Sequence, residues 1–423
     1  MKEDFLHYIW KFKKFSSENL KTTDGDTVEI ISLGNHNTNA GPDFLNAQIV
    51  IGGQHWAGNV EIHEKSSLWY AHHHEKDVAY NNVILHVVWE FDVAIFNSQS
   101  AVIPTLVLKD LVHKDTLTTY RNLIFQQQTF VNCEHQLKSV DEFLKKHWLE
   151  RLYVERLHDK SRAITSILET LNYDWEAVLY TMLLKNFGLK VNAEAFLQLS
   201  QLLPFEVVRK NKTSLESLEA LFFGVSNMFP ETSVDAYVVK LQNEFRYLKQ
   251  KYKLKTANIP PAYFKLRPPN FPTIRLSQLA SLYGKESSLF QQLMEVSSAE
   301  KYYEIFNVSA SEYWNNHFTF EKTSPSVSVK KMSRPFIDLL IINTILPLKF
   351  CYFNARGKDV SEEIINVVSE LKKEHNNIVS SFEKFNFKAE NALDTQAQIQ
   401  LYTQYCSLNK CLQCEIGVKL ING

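Results

Sequence analysis

GPDFLNAQIVIGGQHWAGNVEIH, residues 41–63, carries two carboxylates and an imidazole on what its pattern predicts to be one β-hairpin. Asp43 opens the first strand, and from Asn46 to Ile51 the side chains are mostly apolar or small. Gly52-Gly53 is a two-residue turn of the kind that reverses a strand. Asn59 to His63 alternates polar and apolar, so Val60 and Ile62 share one face while Glu61 and His63 share the other. With the glycines in the turn, Ile51 pairs with Gln54, and counting back sets Asp43 across from Glu61–His63. A one-residue bulge at Ala57-Gly58 would bring Asp43 onto the face of Glu61. An aspartate and a glutamate meeting on adjacent strands beside a proton acceptor form a minimal set for holding a divalent cation and activating water.

Around this hairpin the pattern predicts an amphipathic helix over residues 4–15, through Phe5, Ile9, Trp10 and Phe12, and a strand over Thr27–Leu33. Ser66–Tyr80 is polar and His-rich and reads as a helix, and Asn82–Phe91 reads as a buried strand. The element order is αβββαβ. His72, His73 and His74 are adjacent, and spacings of one and two place no pair on one helical face, so a solvated surface is expected of them. His86, inside an apolar strand, reads as a hydrogen-bonded core histidine, with support of the carboxylate site as the alternative.

Asp43 after Gly41-Pro42, followed by Glu61-Ile62-His63, resembles the signature of the PD-(D/E)XK nucleases, whose core has the same αβββαβ order. The resemblance implies a restriction-endonuclease-like α/β domain in which Asp43 and Glu61 hold Mg²⁺ or Mn²⁺. His63 stands where that family usually has lysine; it can accept a proton or ligate a metal but supplies no permanent cation. The expected function is therefore a metal-dependent phosphodiesterase acting on DNA or RNA, with His63 positioning water. One alternative is a nuclease-like fold without catalysis that serves as a nucleic-acid-binding or assembly module. Another is a zinc enzyme using His63 or the His72–His74 run.

The chain's 423 residues are enough for two or three domains, and 46 basic against 47 acidic residues exclude a uniformly cationic nucleic-acid binder while allowing a local basic groove. The N-terminus lacks the apolar core of a signal peptide, and Phe336–Phe353 is interrupted by Asp338, Asn343 and Pro347, so a cytoplasmic protein that does not span a membrane is expected. Residues 1–135 form the expected α/β domain, 136–405 a larger mainly α-helical domain, and 406–423 a cysteine segment. Ser139 with Glu142 is a capping box for the first long helix; Asp174, Asn192 and Thr213 mark the starts of others. Residues 259–275, IPPAYFKLRPPNFPTIR, hold five prolines and three aromatics beside Lys265, Arg267 and Arg275. Arginines beside aromatics suit a single strand's phosphates and bases, whereas a rigid strap packed over the helices is the plainer reading.

Cys406, Cys411 and Cys414 follow the spacing C-x4-C-x2-C near the C-terminus. Such clustering invites oxidation unless the thiols bind something, and zinc or an iron–sulfur cluster fits. A fourth thiol must come from upstream, Cys133 first and Cys351 second. A remote cysteine with a C-terminal trio is similar to nucleases that staple the chain with an iron–sulfur cluster, although there the lone cysteine precedes the nuclease motif. Across the whole chain, GPDFLNA, GNVEIH, NVILHVVW, RPPNFPTIRLSQLA, YWNNHF and CLQCEIG together resemble an uncharacterised bacterial family, which implies no activity.

Overall fold

The hairpin predicted from Gly52-Gly53 forms. Both glycines are left-handed, at φ +58° and +82°, and Ile51 pairs with Gln54 between strands β3 (Phe44–Ile51) and β4 (Gln54–Lys65). The structure is a computed structural model and describes residues 3–37, 40–125, 130–286 and 288–422. The chain divides into two units. One takes in Met1–Trp148, Phe385–Phe387 and Tyr402–Gly423; the other takes in Leu149–Lys384 and Lys388–Leu401.

In the first unit, β1 (Val28–Ser32) and β2 (Asn35–His36) run antiparallel to β3, and β3 antiparallel to β4. Strands β5 (Val83–Glu90) and β6 (Thr105–Val107) continue the sheet in parallel, giving the order β1-β3-β4-β5-β6 with β2 beside β3. Val83–Val88 is buried throughout, as a parallel strand covered on both faces must be. Helix α1 (Glu3–Lys11) ends earlier than its pattern suggested, at a left-handed Lys13, φ +49°. It buries Phe5, Leu6, Ile9 and Trp10 in one core with Phe44, Val60, Ile62, Leu85 and Val87. Each such side chain contributes about 1.5–3 kcal/mol.

Two local expectations fail for identifiable reasons. The bulge falls between Phe44 and Ala47 on β3, where Asn46 has φ +60°, and not at Ala57-Gly58. Gly58 instead stays in register to let β5 approach: a Cβ there would lie 2.4 Å from Ile84 Cγ2 and 2.5 Å from the Asn82 carbonyl. Residues 66–80 are not one helix. Helix α2 (Leu68–Ala71) is followed by single 3₁₀ turns at His74–Lys76 and Val78–Tyr80, with His73 left-handed at φ +62°. Side-chain anchoring outweighs helix propagation here. Asp92 accepts from Ser66 Oγ, the Ser67 N–H and Ser67 Oγ at 2.7–2.8 Å, and Asp77 accepts from the Ala79 N–H at 2.9 Å.

The second unit is mostly helical. Asp174 caps Trp175–Phe187 as expected, accepting from the Ala177 N–H. Ser214 rather than Thr213 caps Leu215–Val225, and Asp141 rather than Ser139 caps the long helix Glu142–Thr170, which the boundary between units cuts after Trp148. Asn192 starts no helix; both ends of its amide clamp Ala262 at 2.8 Å, fixing the start of the proline-rich segment. Among the described residues one helix, Arg334–Asn354, is long and apolar enough to cross a membrane, and 72% of its most apolar window is buried in the protein.

Candidate metal centre

The bulge at Asn46 leaves Phe44 opposite Val60, which sets Asp43 beside Glu61 at the sheet's end. Each carboxylate is held by a backbone N–H of the facing segment: the Asp43 N–H donates to Glu61 Oε2 at 3.2 Å, and the Ile62 N–H donates to Asp43 Oδ2 at 2.8 Å. The next same-face residue on β4, His63, is 1% exposed, and its Nε2 lies 3.6 Å from Glu61 Oε1. The three residues predicted from the hairpin are therefore neighbours.

The structure adds four residues to this group. The left-handed His73 turns the chain so that His72 and His74 both reach His63, with His63, His72 and His74 donor nitrogens within 4.8 Å of one another. His72 Nδ1 is 3.1 Å from His63 Nε2, and His74 Nε2 is 3.3 Å from Glu61 Oε1. Helix α1 contributes Glu3, 3.9 Å from His63 Nε2, and His7, 3.3 Å from Asp43 Oδ2; Glu3, His7 and Asp43 form a second close set. The adjacent-histidine argument failed because it assumed a helix through residues 72–74. For Glu3 and His7 a usable signal existed: they are four residues apart and so share a face of α1.

Electrostatically the site is crowded. Burial first, and the neighbouring Asp43 charge second, push the Glu61 carboxyl up to about 9. Burial and the surrounding imidazoles drive His63 far down, and burial takes His86 to about 3. His7 moves the other way: burial alone would lower it, but the Asp43 carboxylate beside it raises it. His86 lies beneath the site with Nε2 2.9 Å from His63 Nδ1. If the His63 proton sits on Nδ1 and is donated to His86, the Nε2 lone pair faces Glu61, His72 and His74. His7 Nε2 and His74 Nε2 are buried and face carboxylate oxygens without hydrogen-bond geometry. Neutral imidazoles and carboxylates gathered with such nitrogens fit a divalent cation.

The cysteines and the basic loop separate clearly. Cys133, Cys406, Cys411 and Cys414, all in the first unit, line one cavity with Val131, Asn132, Tyr405 and Gly417. Cys351 is in the second unit, buried, with Sγ near the Ser161 carbonyl and the Thr165 hydroxyl. In the proline-rich segment Lys265 and Arg267 are exposed, as is Phe264 at 76%. Arg275 is not available to a ligand. It is 4% exposed, its guanidinium stacks 3.4 Å from the Phe336 ring centroid, and it donates to Gln278 and Asn270. The arginine heads a helix that starts at Pro272, and helix packing claims its side chain.

The fold and site define a protein with a mixed-sheet unit carrying a histidine–carboxylate cluster and a larger helical unit. It belongs to the family described as "Protein of unknown function (DUF2851)", whose profile matches residues 3–377. No curated protein and no solved structure matches the chain.

Proposed function

We propose that the chain is a metal-dependent phosphodiesterase acting on nucleic acid, with a restriction-endonuclease-like sheet as its catalytic scaffold. The observation that carries this reading is the meeting of Asp43, Glu61, His63, His72 and His74 where β3 begins beside the C-terminal half of β4. The antiparallel β3–β4 hairpin followed by the parallel β4–β5 pair supports the nuclease-like reading of the sheet.

Glu61, His63, His72 and His74 would hold a divalent cation, and Glu3, His7 and Asp43 offer donors for a second. A bound ion would make water a nucleophile near neutral pH and offset charge developing on a phosphate. Imidazoles favour Mn²⁺ over Mg²⁺. His63 orients and ligates in this proposal and does not act as base: it is 1% exposed and both ring nitrogens meet other imidazoles. While no second ion is bound there, the positive charge that lysine would supply is available from His7, which Asp43 favours in its protonated form. Exposed Phe264, Lys265 and Arg267 suit a single strand through stacking and phosphate contact.

The test is cleavage of single- and double-stranded DNA and RNA with Mg²⁺, Mn²⁺, Zn²⁺ or EDTA. Metal-dependent cleavage should fall at least a hundredfold in both Asp43→Ala and Glu61→Ala. Folded wild type that cuts nothing with any ion overturns the proposal. Salt-sensitive binding surviving both substitutions would then identify a binding module.

A further inference from the structure

The four cysteines of the first unit come from two parts of the chain far apart in sequence. Cys133 sits among the turns before Gln136, and Cys406, Cys411 and Cys414 lie in the last eighteen residues. They nevertheless surround one cavity. Cys406 ends the π-helical turn Tyr402–Cys406, Cys411 opens the 3₁₀ turn Cys411–Gln413, and Cys414 stands immediately before the helix Glu415–Asn422. The last two thiols are thus offered from a tight knuckle. Gly417 closes it, since a Cβ there would lie 2.1 Å from the Cys411 carbonyl oxygen.

What surrounds the sulfurs distinguishes a ligand set from apolar filling. The Asn132 amide donates to Cys411 Sγ at 3.4 Å, and the backbone N–H groups of Ile416 and Gly417 favour the thiolate form of Cys414. N–H donors aimed at sulfur offset the negative charge of a thiolate and orient it, as supporting hydrogen bonds do around bound metals. A nucleophilic or redox role suits these groups poorly. Burial and the neighbouring sulfurs hold Cys133 and Cys406 well up, and Cys414 at about 11, so without a cation they remain thiols. No disulfide joins any of the four.

We infer that Cys133, Cys406, Cys411 and Cys414 form a four-thiolate centre for a thiophilic metal, either zinc or an iron–sulfur cluster, that ties the C-terminal segment to the sheet-bearing unit. The inference does not rest on the hydrolytic reading. Binding releases the thiol protons and sets the cation's charge against the four thiolates that result. It also closes a link between two segments separated in sequence by the whole helical unit.

The experiment uses the full chain purified without oxygen, with zinc and iron measured by plasma mass spectrometry, visible absorption, and X-ray absorption at the metal edge. The expected result is sulfur-coordinated metal, with about one zinc at metal–sulfur distances near 2.3 Å, or iron with the charge-transfer absorption of a cluster. Cys406→Ser and Cys411→Ser should lose that metal, while Cys351→Ser and the double change Glu61→Ala/His63→Ala should keep it. Because those serine variants can fail to fold, the wild-type edge spectrum decides independently. Wild type without metal that takes up neither zinc nor iron with sulfide overturns the inference. So does metal bound through nitrogen and oxygen only, or sulfur-bound metal that persists in folded Cys411→Ser.

Discussion

Replacing Glu61 with glutamine isolates the electrostatics of the candidate centre from every other titration in the protein. The carboxyl is buried beside Asp43 and keeps its proton up to about 9, whereas an unfolded glutamate ionises near 4.5. A raised folded value means stability that is present at low pH and lost as pH climbs toward 9. Between pH 7 and 9 the other raised groups, His7 and the buried cysteines among them, titrate alike in wild type and variant, so the difference between the two reports Glu61. At about 1.4 kcal/mol per unit the Glu61 contribution of the metal-free protein falls by roughly 3 kcal/mol over that window. For a unit of this size that is a fall in melting temperature of roughly 6–12 °C. Glutamine is nearly isosteric, still accepts from the Asp43 N–H, and has no proton to lose. EDTA-treated wild type and Glu61→Gln should therefore diverge as pH rises, the variant melting higher at pH 9. With added Mn²⁺ the order should invert, because only the wild-type carboxylate can bind the ion and relieve the repulsion. Parallel melting curves from pH 7 to 9 would falsify the buried, Asp43-coupled carboxyl on which this reasoning stands.

Four further outcomes follow from particular residues. His63→Lys, the change that restores the usual nuclease residue, should lower the melting temperature by the equivalent of about 1–3 kcal/mol and give no gain in cleavage. The site is 1% exposed, and the substitution breaks the 2.9 Å contact to His86; a more active, equally stable variant would refute this. Gly58→Ala should destabilise by about 1–3 kcal/mol through collision with Ile84 and the Asn82 carbonyl, measured by thermal melting. An unchanged melting temperature would show that β5 yields. Arg275→Ala should destabilise by about 2–4 kcal/mol through loss of its buried pairing and ring contact. Lys265→Ala/Arg267→Ala should leave melting unchanged but reduce the salt dependence of single-strand binding by a slope of roughly 1.4; the reverse pattern would exchange their roles.

Local signals settled much of the first unit. Two adjacent glycines marked the hairpin because they take the two left-handed conformations of a tight turn at no steric cost, and the polar–apolar alternation of β4 put Glu61 and His63 on one face. That alternation also buried Val60 and Ile62. The C-x4-C-x2-C spacing marked three thiols as a group, and the upstream search named Cys133.

What the sequence by itself determined was the hairpin, the Asp43–Glu61–His63 neighbourhood and the change to a helical second part, all products of short-range backbone geometry and side-chain period. Tertiary structure decided the rest. Which strand carries the bulge depended on β5 needing Gly58 for close approach. Whether His72 and His74 point to one place depended on Asp92 and Asp77 interrupting a helix. Glu3 and His7 joined the centre only when α1 packed on the sheet, and Cys133 met its three partners only when the C-terminus returned to the first unit. Apart from the local Asp77–Ala79 bond, these deciding contacts join residues far apart in sequence, and propensity and spacing cannot register that.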